Sequence, residues 1–166
     1  MRGFTLIETL VAITVLTMII IGPLTLATKS IGAALTSQNQ ITASYLAQEA
    51  IEYVLNIRDN NFLQSLDWLT GLNQCFGANG CYVDIPNNII KPCGGTCPNI
   101  KYDESSGFYY NYQTGQNTIF TRIAKVNKIN IQGSNDEARI EVTVSWQEKF
   151  GGQKYFTLQE DIFNWK

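Results

Sequence analysis

The sequence predicts an α+β fold: one long N-terminal helix, half transmembrane and half amphipathic, packed on a C-terminal antiparallel β-meander of about four strands. Three observations predict it. Residues 9–28 carry no charge, about the 20 residues a helix needs to cross a bilayer. From Ser30 to about Arg58 apolar residues return at three- and four-residue steps, the period of a helix with one buried stripe. After residue 107 the pattern changes to alternation at period two, interrupted by Gly-containing turns.

The first element is the apolar run Gly3 to Ala27, flanked by Arg2 and Lys29 and broken by one charge, Glu8. It is longer than the roughly 7–15-residue core of a secretory signal and lacks a clear small-residue cleavage site after it. A carboxylate inside a membrane helix costs roughly 2.5–3.5 kcal/mol and calls for a partner. Neither Arg2 nor Lys29 is placed to serve on the same helix. A free α-amino group, made by cutting the chain just before Phe4, is mostly protonated at neutral pH and answers the requirement from a neighbouring subunit.

Gly3-Phe4-Thr5-Leu6-Ile7-Glu8 resembles the processing signature of type IV pilins and of type II secretion pseudopilins. The resemblance implies cleavage after Gly3 and N-methylation of Phe4 by a prepilin peptidase. It further implies that Glu8 guides subunits into a filament and that the fold is a pilin-like roll. The implied partners are the peptidase, other pilins or pseudopilins, an inner-membrane assembly platform and, before assembly, membrane lipid. The lone cation Arg2 places the N-terminus in the cytoplasm by the positive-inside bias. The domain after Lys29 is then extracytoplasmic, where disulfides persist.

Gly22-Pro23 lies inside the run. Proline removes a backbone hydrogen bond and clashes with the carbonyl four residues back, so a bend or loosening is expected here. The sequence leaves open whether this is a static kink or a segment that melts on assembly. Beyond it, Ala43, Leu46, Ala47, Ala50, Val54 and Ile57 form the apolar stripe, with Gln48, Glu49, Glu52 and Asn56 mostly opposite. The helix is expected to end at Asp59-Asn60-Asn61, and Phe62 to Leu69 to form a short second helix.

The organisation expected is therefore a leader at residues 1–3, a transmembrane half at 4–28 and an extracytoplasmic domain at 29–166. Within that domain, 29–60 is the amphipathic half, 61–107 a cysteine-containing loop region and 108–166 the meander. Residues 71–107 are rich in Gly, Pro, Asn and Ser, and such a loop cannot offset its ordering entropy by burial alone. Cys75, Cys81, Cys93 and Cys97 allow three pairings. Sequential bridges, Cys75–Cys81 and Cys93–Cys97, suit the short loops. A four-thiolate zinc site is the alternative, although only the second pair has usual ligand spacing.

In the meander, Phe108 to Tyr112 is followed by a turn at Thr114-Gly115 and a long strand, or a bulged one, from Thr118 to Ile131. A second turn is expected at Gly133-Ser134-Asn135-Asp136. Ile140, Val142, Val144 and Trp146 then fall on one face, and Gly151-Gly152 leads to a last strand with Phe156, Leu158 and Ile162 inward.

Chemistry is limited by composition. The 166-residue chain has net charge −2 and no His, which removes the commonest general base and metal ligand and gives no basic face for nucleic acid. No catalytic residue, cofactor site or metal site is expected. The acidic pairs Asp103-Glu104 and Asp136-Glu137 sit at expected turns without a calcium-loop pattern, and Glu160-Asp161 are strand neighbours that point apart. Tyr109, Tyr110 and Tyr112 are read as aromatic strand packing. The rival functional reading is a pilus-tip adhesin or ligand-binding module on the same anchor, with the tyrosines and the cysteine loop as its face.

Overall fold

A computed structural model describes residues 5–105, 107, 109–131, 134–148 and 151–164. Helix α1 (Leu6–Leu63) is followed by a single 3-10 turn (Asn73–Cys75) and seven strands. These are β1 (Cys81–Asp84), β2 (Ile89–Pro92), β3 (Asn99–Asp103), β4 (Tyr109–Asn111), β5 (Gln116–Ile131), β6 (Ser134–Glu148) and β7 (Gly152–Phe163). Two compact units divide the chain, Met1–Asn39 and Gln40–Lys166.

In the first unit, every described residue up to Leu35 is exposed. Five threonine hydroxyls of this segment are folded back on the backbone. The hydroxyls of Thr9, Thr14, Thr17 and Thr28 each donate to the carbonyl three residues earlier, at 2.8–3.0 Å. Thr25 donates to the carbonyls of Ile21 and Gly22. Side chains that satisfy themselves this way suit a helix surrounded by hydrocarbon. α1 is helical on both sides of Gly22-Pro23.

In the second unit the helix buries Ala43, Leu46, Ala47, Ala50, Ile51 and Val54. Burying each large aliphatic side chain in such a core contributes about 1.5–3 kcal/mol. The α+β architecture predicted from the sequence is the one observed. The stripe is wider than expected, since Ile51 joins it and Ile57 is only half-buried.

The end of α1 corrects two expectations. The helix runs past Asp59-Asn60-Asn61 to Leu63, and no second helix forms over 62–69. The Leu66 amide donates to the Asn61 carbonyl and the Ser65 amide to the Phe62 carbonyl, with Ser65 left-handed at φ 57°. This is the Schellman arrangement, with serine where glycine is usual. Asn61 is buried, and its amide donates to the Trp68 and Thr70 carbonyls. That side chain holds the following turn against the helix end instead of letting a new helix start.

All strand pairs are antiparallel, and β5 is the axis of the sheet. One edge of β5 pairs along its length with β6, which pairs in turn with β7. Its other edge takes β1 at Cys81↔Ala124 and β3 from Asn99↔Thr121 to Tyr102↔Gln116. β2 and β4 flank these at the outside. The C-terminal part supplies the four strands expected of it. The cysteine region, expected as loop, adds three more. Ser134 to Asp136, expected in a turn, lie in β6, and Gly133 is outside the described residues. The core face of β6 is the alternating one: Ala138, Ile140, Val142, Val144 and Trp146 are all buried.

Candidate functional site

Of the N-terminal signature, Thr5, Leu6, Ile7 and Glu8 lie within the described residues, and Gly3 and Phe4 lie outside them. The amides of Glu8 and Thr9 both donate to the Thr5 carbonyl, at 3.0 and 3.3 Å. The helix therefore opens at Thr5 and holds Glu8 in its first turn. Here the unpaired N–H groups and the helix dipole favour a carboxylate by about 0.3–1 kcal/mol. That is less than the roughly 2.5–3.5 kcal/mol cost of a carboxylate inside a membrane helix, so in a bilayer the helix end alone would not offset it. Around it Leu6 is 79% and Ile7 72% exposed, and the 58-residue helix contains a window apolar enough to cross a membrane, none of it buried.

The domain holds a polar centre that the sequence reading missed. Arg122, at an inward position of β5 between Phe120 and Ala124, is only 2% exposed. Its Nη1 donates to the Leu46 carbonyl and to Glu49 Oε2, both at 2.8 Å, and its Nη2 to the Val83 carbonyl at 2.6 Å. One guanidinium thus ties α1, β1 and β5 together. It also lies 5.9 Å from the ring centre of Tyr112. Burial pushes the Tyr112 phenol up, against the pull of that same guanidinium. Glu49, to which no role was assigned, is the counter-charge. The available signal was an arginine in phase with Phe120, Ala124 and Val126. It was obscured because Thr121, Ile123 and Lys125 offer the opposite phase of an equally plausible strand.

Of the three tyrosines, Tyr110 and Tyr112 are in ring contact, Tyr112 with Tyr82 at 4.8 Å and Tyr110 with Tyr102 at 5.0 Å. Disulfides join Cys75 to Cys81 and Cys93 to Cys97, with Cα separations of 4.6 and 4.8 Å. Asp103 accepts from the Ser105 amide and hydroxyl and from the Thr114 hydroxyl. It is the knot of a turn. Asp136 and Glu137 lie in β6, where Asp136 accepts from the Asn164 side chain. Asp161 forms a two-pronged surface pair with Arg139, which holds its carboxyl below the usual range. Among the described residues no three Cys, Asp or Glu side chains gather as a metal site.

The family described as the prokaryotic N-terminal methylation motif covers residues 1–22, and that motif is the hallmark of type IV pilin-like proteins. No curated protein and no solved structure matches the chain.

Proposed function

We propose that this chain, a type IV pilin-like precursor by its methylation motif, is a non-enzymatic filament subunit. It is a minor pilin or pseudopilin of a type IV pilus, a competence machine or a type II secretion system. The observation that carries this reading is Glu8, a carboxylate at the start of a helix whose flanking surface is otherwise apolar.

In this reading a prepilin peptidase cuts after Gly3 and methylates Phe4. The mature chain waits in the inner membrane with its N-terminus cytoplasmic and its domain outside, until an assembly platform extracts it. The apolar half then moves from lipid into a bundle of like helices, so its surface stays out of water throughout. Directionality comes from Glu8. Left alone in the bundle the carboxylate is costly, and the new Phe4 amine of an adjacent subunit neutralises it in one register only.

Two substitutions test this. Glu8→Ala is expected to leave cleavage intact and remove the chain from sheared filaments. Gly3→Trp is expected to leave an unprocessed precursor, seen as a slower band by electrophoresis. Filaments containing the Glu8→Ala variant at the normal level defeat the proposed role of the carboxylate.

A further inference from the structure

On the flank of α1 that meets β4, Thr42, Tyr45, Gln48, Glu49, Glu52 and Tyr110 line a notch of about 410 Å³. Two carboxylates three residues apart share one helix face there. The Glu49 charge is answered by Arg122, so the net charge presented is that of Glu52. No Lys or Arg lies within four residues of Glu52, and Glu52 makes no ion pair among the described residues. Tyr45 is 67% exposed beside it, and the Tyr110 ring is steadied by Tyr102. A carboxylate sharing one notch with two phenol rings suits a single cationic side chain, held by its charge and by contact with the aromatic surface.

The same helix carries the complement. Lys29 is the only charged residue between Glu8 and Glu49, and no carboxylate lies within four residues of it. It is exposed and makes no ion pair among the described residues. We infer that Lys29 of one copy of this chain seats in the Glu52–Tyr45–Tyr110 notch of a second copy. This rests on the filament reading above. A lysine bordering a membrane segment is satisfied by lipid phosphate. Extraction into a bundle removes that phosphate, and the notch supplies the replacement. The contact joins two different surfaces of identical subunits. Such heterologous pairing propagates as a filament when it does not close into a ring.

The test uses full-length protein in assembled filaments made from a mixture of isotopically light and heavy subunits. Zero-length carbodiimide coupling of amines to carboxylates is followed by mass spectrometry. The expected product is a Lys29–Glu52 peptide containing one light and one heavy half. In parallel, Lys29→Glu or Glu52→Lys alone is expected to lower the filament content of the chain about tenfold, because like charges are then opposed. The double reversal is expected to recover it to within about twofold. Both positions are exposed, and folding of each variant is checked by its thermal transition in circular dichroism. Filaments that contain the chain but give Lys29 coupled elsewhere, or a double reversal no better than the singles, overturn this contact and leave the filament reading standing. Complete absence of the unmodified chain from filaments removes the filament reading and the contact with it.

Discussion

Arg122 is a charge taken out of water, whereas Glu8 is exposed in the first turn of α1. Arg122 is surrounded by acceptors from its own chain: two carbonyls and the Glu49 carboxylate. Glu8 sits in the first turn of α1, and in the filament reading proposed above its counter-charge is the amine of a neighbouring subunit. Removing one partner of a buried charge network exposes the full desolvation penalty of what remains. Arg122→Leu is therefore expected to destabilise the domain by about 2–4 kcal/mol, because Val83 and Glu49 lose their donor together. Arg122→Lys is expected to recover little, since one ammonium cannot span acceptors on two elements in the guanidinium's fork geometry. Urea denaturation of the isolated domain measures both. A loss under about 0.5 kcal/mol for Arg122→Leu, within the range of an ordinary surface change, contradicts the tie.

Elements differ in how openly their sequences declare them. The membrane-capable helix and β6 were legible because each follows one period without competition. In β6, Ala138, Ile140, Val142, Val144 and Trp146 leave no doubt about which face is inward. β5 was ambiguous in phase, which hid Arg122. β1, β2 and β3 were illegible for a different reason. Each has four or five residues. With disulfides nearby, β1 and β3 are held by pairing with the remote β5, and β2 by β1 across a short turn, instead of by periodicity of their own. The helix end was misplaced because Asp59-Asn60-Asn61 reads as a stop, whereas Asn61 points inward and bonds the chain that follows. The true stop is Ser65, a serine in the left-handed region. Ser65→Gly is expected to stabilise the domain by about 0.5–1 kcal/mol. That is a rise of about 2–5 °C in Tm, measured by thermal unfolding. An unchanged or lower Tm argues that the serine side chain contributes more than its backbone strain removes.

For the whole molecule, the N-terminal signature was readable because it is local in sequence, while the polar centre depends on residues 76 positions apart. The division into two compact units at Asn39 and Gln40 carries its own prediction. A fragment beginning at Gln40 retains the helix stripe, the whole sheet and both disulfides. It is expected to be soluble, monomeric and cooperatively folded, whereas the full chain partitions into detergent or membrane. Size-exclusion chromatography and circular dichroism of the fragment provide the check. Aggregation or loss of the thermal transition shows that the first unit is needed for folding.

Both disulfides join cysteines that are near neighbours along the chain, six and four residues apart. A ring that small forms by encounter within a short flexible segment, so each bridge is able to close as soon as its segment meets an oxidant. Neither has to wait for the central strand β5, which follows both pairs in the chain, and neither depends on the final sheet to choose the right partner. Maturation of this domain is accordingly suited to a cell that supplies an oxidase but little isomerase, with cross-pairing errors suppressed by proximity instead of by repair.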